Sequence, residues 1–184
     1  TGPIAIRQST FQESASCIAV NWFAGSTSPG ALLEVDQCYF YNNNNNYYYT
    51  IYVSGVDELN LIDCSFQSNY NAYGGVIGAW EIDELNLIDC SFQSNYNSNG
   101  SMIYLNAHTQ VVSGCLFTNN NSRGSLIYAE SPLWQGTPAS SVKRCLFIDN
   151  YSEQSIIEAA NIETTVNSCT FTFNTTQNKR ILDT

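Results

Sequence analysis

The sequence predicts an all-β fold: a right-handed parallel β-helix of about seven coils, period about 26 residues, with little or no helix. Three observations carry this. A short strand motif, most often Cys-x-Phe-x-x-Asn, returns seven times along the chain. Apolar residues on either side of it align into columns from copy to copy. No stretch shows sustained 3.6-residue apolar spacing. A fixed period of this length means an array in which each unit buries its apolar face against its neighbours.

The motif begins as a degenerate Ser9-Thr-Phe11-Gln-Glu-Ser14. It continues from Cys38, Cys64, Cys90, Cys115, Cys145 and Cys169, with Phe40, Phe66, Phe92, Phe117, Phe147 and Phe171 two residues on. Spacings between copies are 29, 26, 26, 25, 30 and 24 residues. Three positions upstream stand Ile6, Val35, Leu61, Leu87, Val112, Val142 and Val166, which with Cys and Phe read as one strand. Val, Ile, Phe and Thr suit a pleated surface.

Asn43, Asn69, Asn95, Asn120, Asn150 and Asn174 follow Phe by three residues. They are expected to make the turn, because Asn tolerates left-handed backbone and bonds locally to the main chain. Stacked copies can also exchange amide hydrogen bonds as a ladder. A second strand then begins at Ile18, Ile51, Ile77, Ile103, Ile127, Ile157 and Leu182. Two residues on come Val20, Val53, Ala79, Leu105, Ala129 and Ala159, which is period-two patterning. Between them Ala19, Tyr52, Gly78, Tyr104, Tyr128 and Glu158 read as an outward face. The expected coil is strand, Asn-rich turn, strand, loop. Insertions around Trp22 to Gly30 and Ser131 to Pro138 fall at one place in the coil, as loops on one face do in repeat arrays. They are read either as part of a binding face or as cover for the flank.

Right-handed winding follows from the preference of parallel crossovers, and seven coils at about 4.8 Å each make a rod roughly 34 Å long. Leucine-rich repeats share the period but need a Leu-x-x-Leu-x-Leu framework absent here. Residues 57–71 and 83–97 are identical, which a fold tolerates if coils are interchangeable modules. One period throughout 184 residues predicts a single domain, 1–184.

A net charge of −10 with only six basic residues makes nucleic acid and anionic membrane surfaces poor partners. No apolar run is long enough to cross a bilayer, and no signal peptide is present, so the chain reads as a mature or excised segment. The Cys column is expected to hold mostly buried free thiols. Side chains in register on parallel strands point the same way, which is poor geometry for bridging. Cys17 has no evident mate, no Cys-x-x-Cys spacing exists, and His108 stands alone, so no metal site is expected. Asp63 and Asp89 are expected to stack on the outside as a solvated face, with a bridging calcium as the other reading.

The Phe-x-x-Asn box, with Gly74-Gly75-Val76-Ile77, resembles the repeats of the chlamydial polymorphic membrane proteins, which pair Phe-x-x-Asn with a Gly-Gly-Ala-Ile-like motif. Similar repeats occur in large surface proteins of some protists. The Gly-Gly half is intact once and weakened to Gly100-Ser-Met-Ile103 and Gly124-Ser-Leu-Ile127 elsewhere. The resemblance implies a secreted or cell-surface β-helix with adhesive or structural duties. It carries no catalytic residues to transfer.

The functional expectation is a non-enzymatic extracellular or cell-surface rod that stacks end to end. Neither end of the sequence shows a cap, and the two ends are nearly in phase for one coil to follow another. The alternative is an adhesin that binds a glycan or protein through Tyr52, Tyr104 and Tyr128, with Tyr47 to Tyr49, Trp22, Trp80 and Trp134 nearby. No catalytic residues and no cofactor are expected, because the six basic residues are scattered and the acidic pairs come from the duplication. Asn99, Asn120, Asn150 and Asn174 head glycosylation sequons, Asn99 alone lying outside the ladder column.

Overall fold

Every copy of the motif folds into one turn of a parallel solenoid. The structure is a computed structural model and describes residues 3–14, 18–21, 30–45, 49–132 and 137–183. The described strands form three parallel sheets of 12, seven and six strands, and no helix occurs among the described residues. The seven-stranded sheet holds one Phe strand from each coil, from Thr10–Gln12 to Thr170–Thr172. The six-stranded sheet holds two-residue strands such as Tyr70–Asn71 and Tyr96–Asn97. Strands before the Cys and strands after the Ile share the 12-stranded sheet. In Ile77–Ile88 and Ile103–Ser113 they run together without an intervening loop.

Register is kept throughout. Ile6, Val35, Leu61, Leu87, Val112, Val142 and Val166 pair in one column. The column from Ile18 through Ile51, Ile77, Ile103, Ile127 and Ile157 reaches Leu182. The two identical segments lie directly against each other, Glu58 on Glu84 and Ile62 on Ile88. Asn60 and Asn86 donate to Glu58 and Glu84 in turn, which relieves the like charges that the duplication stacks.

The structure corrects the expected coil at its corners. Upstream apolar residue, Cys and Phe do not form one strand. Gln37, Asp63, Asp89, Gly114, Arg144 and Ser168, each just before a Cys, have φ of 50–69° and turn the chain from one sheet to the next. A second corner precedes the ladder Asn. Asn42, Ser68, Ser94, Asn119, Asp149 and Phe173 have φ of 52–54°. So the left-handed residue is the one before the ladder Asn. Neighbouring coils hold these corners: Gln37 N–H donates to Ile62 O, and Ser68 N–H donates to Gln93 O. Rung bonds of this kind offset the 1–3 kcal/mol that a sparsely populated backbone region typically costs.

Between the corners lies the core. Phe40, Phe66, Phe92, Phe117 and Phe147 are fully buried. From Phe11 to Phe171 the rings stack at centroid distances of 4.7–4.8 Å and interplanar angles of 2–5°. Six such intervals put the first and last rings about 29 Å apart, close to the strand spacing of a parallel sheet repeated six times.

The six described cysteines are free thiols. Each Sγ lies 3.3–3.5 Å from the carbonyl two residues earlier and 3.3–3.7 Å from a carbonyl of the preceding coil. In the first coil Ser9 Oγ makes the same local bond, to Arg7 O at 2.9 Å. The column therefore selects a small side chain with one weak donor at a corner, and redox chemistry is not what places it there. Burial pushes the Cys38 thiol up, and burial with the neighbouring Cys115 and Cys64 pushes Cys90 well up. Cys17 lies outside the described residues.

Candidate functional site

Two arrangements of side chains stand out among the described residues: an inner amide ladder and an outer aromatic column. In the ladder Asn43, Asn69, Asn95, Asn120 and Asn150 are at most 1% exposed. Each Nδ2 donates twice. One hydrogen goes to the Oδ1 of the next Asn at 2.9–3.0 Å. The other goes to a Phe carbonyl of the preceding coil at 2.8–3.0 Å, as from Asn95 to Phe66 O. Each Oδ1 also accepts the backbone N–H of the preceding Asn, or of Ser14 at the first step. Both amide hydrogens of each ladder residue from Asn43 to Asn150 are used, and each Oδ1 from Asn69 to Asn150 accepts twice. That is the condition under which a buried polar network specifies one register instead of destabilising the core.

The Gly-Gly motif serves the same close stacking. A Cβ on Gly75 would lie 2.3 Å from Met102 O, and one on Gly124 would lie 2.3 Å from Gly100 O. Backbone of the neighbouring coil occupies that space.

Outside, the column predicted from sequence runs Tyr52, Gly78, Tyr104, Tyr128 and Glu158, and Asp183 pairs with Glu158. Sequence reasoning missed how the gap at Gly78 is filled. The indole of Trp80 folds back over it and stands 5.0 Å from the Tyr52 ring and 4.8 Å from Tyr104. A Cβ on Gly78 would be 2.3 Å from Trp80 Cζ3. Tyr104 stacks on Tyr128 at 5.6 Å, and Tyr49 meets Trp80 edge-on at 5.0 Å. The result is a continuous ring stack across the rungs. Trp80 and Tyr104 have both faces covered by neighbouring rings, so they turn edges outward. A sugar ring stacking on an aromatic face finds no free face there.

Three phenols, of Tyr49, Tyr104 and Tyr128, hold their protons more tightly than usual. Burial, then the charge of Tyr52, pushes Tyr49 up to about 12. Burial, then the hydrogen bond to Glu130, raises Tyr104, and burial raises Tyr128. Tyr104 Oη donates to Glu130 Oε1, which also accepts from Asn106 Nδ2 at 2.7 Å. Beside this pair runs an open groove of about 380 Å³, lined by Trp80, Tyr104, Glu81, Glu130, Asn106 and Asn161 among others. Glu81 sits on the bulge that follows Trp80, at φ 55°. A second cleft of about 330 Å³ brings Lys143 and Arg144 together with Ser141 and Thr165.

Arg7, Arg123 and Lys179 form surface ion pairs with Glu34, Glu153 and Glu158. Asp63 and Asp89 are exposed at their corners, and among the described residues no trio of His, Cys, Asp or Glu is placed to hold a metal ion. Trp22, Trp134, Tyr47 and Tyr48, also singled out in the sequence, lie outside the described residues. No helix is long and apolar enough to cross a membrane among the residues described.

A family model described as a right-handed beta helix region matches residues 2–178. No curated protein and no solved structure matches the chain.

Proposed function

The chain belongs to the right-handed β-helix family, and from that premise we propose that it is a non-enzymatic structural protein of the cell surface or extracellular space. Its coils form a rod that stacks on further coils end to end. One observation carries this reading: the inner ladder joins each coil to the next through bonds between like residues, in register, from Asn43 to Asn174. Such a rung fits any equivalent rung, whether of the same chain or of a second copy. At the Asn174 coil, Phe171 is half-buried and covered on one face by Phe147 at 4.8 Å. A following coil would cover the other. The likeness of the Phe-x-x-Asn and Gly-Gly motifs to chlamydial polymorphic membrane proteins and protist surface proteins supports a place outside the cell.

The non-enzymatic reading draws on how the charged groups are engaged. Glu58 and Glu84 accept from Asn60 and Asn86, Glu130 accepts from Tyr104 and Asn106, and three cations are tied in surface pairs.

Sedimentation and negative-stain electron microscopy of the chain at rising concentration test the stacking. Rods longer than the roughly 34 Å expected of seven coils are the expected result. Single short particles at every concentration would remove the filament from the proposal and leave the coil architecture untouched.

The groove beside Tyr104 favours a second reading, a surface module for a glycan or protein ligand. With ring faces covered, its recognition would run through the carboxylates and amides at the rim, acting on hydroxyl or amide groups of the ligand. A glycan array on which no sugar is retained, or on which Tyr104→Ala binds as wild type does, would count against it.

A further inference from the structure

The four Asn-x-Ser/Thr sequons, at Asn99, Asn120, Asn150 and Asn174, are treated very differently by the fold. Asn120 is 1% exposed, and its Nδ2 donates to Asn150 Oδ1 at 2.9 Å and to Phe92 O at 2.8 Å. Asn150 is also 1% exposed and donates to Asn174 Oδ1 and to Phe117 O, both at 2.9 Å. Both amide hydrogens of each are spent inside the rod. An N-linked sugar replaces one of those hydrogens and would occupy the space of the next coil's Asn.

Asn99 stands apart. It is exposed, in the turn that follows Tyr96–Asn97, with Asn97 Nδ2 holding the turn through Gly100 O at 2.9 Å. Gly100 has φ +78°, and nothing lies within 4 Å of where its Cβ would be. Asn99 is therefore a solvent-exposed acceptor on a turn held by its own hydrogen bond.

We infer that Asn99 is the glycan acceptor of the folded coil, and that folding closes Asn120 and Asn150 to the same chemistry. Asn174 stays open only while no further coil lies on it. The donor is a lipid-diphosphate-linked oligosaccharide. Asn99 Nδ2 forms a bond to its anomeric carbon while the bond from that carbon to the diphosphate oxygen breaks. The lipid diphosphate leaves with the electron pair, and the amide proton passes to a carboxylate of the transferase. At Asn120 or Asn150 the same bond formation and the ladder exclude each other, so each residue serves the sugar or the rod.

The clause on Asn174 rests on the proposed stacking. Its Nδ2 donates to Phe147 O at 2.6 Å, and a following coil would take the second hydrogen.

The test uses the whole chain made without glycosylation, a purified oligosaccharyltransferase and its lipid-linked donor, with site occupancy read by mass spectrometry. Proteolytic peptides of the same chain serve as the unfolded reference. In the folded chain Asn99 is expected to reach the occupancy of its peptide. Asn120 and Asn150 should fall about a hundredfold or more below theirs, because modification there waits for local opening. Asn99 left bare in the folded chain, or Asn120 or Asn150 modified as readily as in peptides, overturns the inference. Equal occupancy of Asn174 in dispersed and assembled material overturns the stacking clause alone.

Discussion

Asn95→Asp is expected to destabilise the rod strongly, and in a pH-dependent way. The Asn95 amide nitrogen donates to Phe66 O at 2.9 Å and to Asn120 Oδ1 at 3.0 Å. A carboxylate there would face two acceptors at hydrogen-bond distance, fully buried. Asn69 would still donate to it, through its backbone N–H and its Nδ2. An uncompensated buried charge costs about 3–5 kcal/mol, or roughly 6–20 °C of melting temperature at this chain length. The sign follows from linkage. Burial opposite acceptors raises the carboxyl pKa in the folded state above the unfolded value of about 3.9. The penalty is absent below that pH and grows as pH rises through it. Thermal melts should show the gap between variant and wild type smallest below about pH 4, where the neutral carboxyl still donates once, and much larger at pH 7. A constant gap would mean that the introduced carboxyl is solvated and the ladder locally open.

Phe92→Ala is expected to cost a comparable amount. Its ring lies between Phe66 and Phe117, 4.8 Å from each centroid, with no exposed surface. Truncating a buried Phe costs about 3–5 kcal/mol through lost transfer energy and the cavity left behind. Parallel strands held at both sides by ladder bonds cannot close that cavity. Phe171→Ala removes the same atoms from a ring covered by one neighbour and half-buried. It should cost markedly less. Chemical denaturation of the two variants checks the order, and equal losses would show that the coils do not share the Phe stack as their core.

Much of this fold was legible because seven copies superimpose. The Phe, Ile and upstream aliphatic columns, and the ladder Asn, could be aligned from spacing alone. The corners could not. Gln37, Asp63, Gly114, Arg144 and Ser168 share a left-handed backbone and nothing else, because rung bonds impose that conformation whatever the side chain. Phe173 makes the point most sharply. It is 81% exposed in the left-handed region, at a position held elsewhere by Glu, Asn, Ser or Asp. Two-residue strands such as Tyr70–Asn71 are too short for any periodicity to show. Trp80 was read by its neighbourhood and not by its place. Only the structure reveals that Gly78 leaves the gap its indole fills.

The amide ladder has one more consequence. Its bonds from one Asn side chain to the next all run the same way, donor in one coil and acceptor in the next toward the C-terminus. A peptide unit carries a dipole of about 3.5 D, and side-chain amides of the same chemistry are here aligned along the rod axis. The ladder is thus a vector, with an unspent amide hydrogen at the Asn174 end and, at the other, the Asn43 oxygen taken up by the Ser14 N–H. Two rods meeting at their Asn174 faces would oppose donor to donor. Growth by stacking would then be polar, with two ends that differ in chemistry and hence in rate.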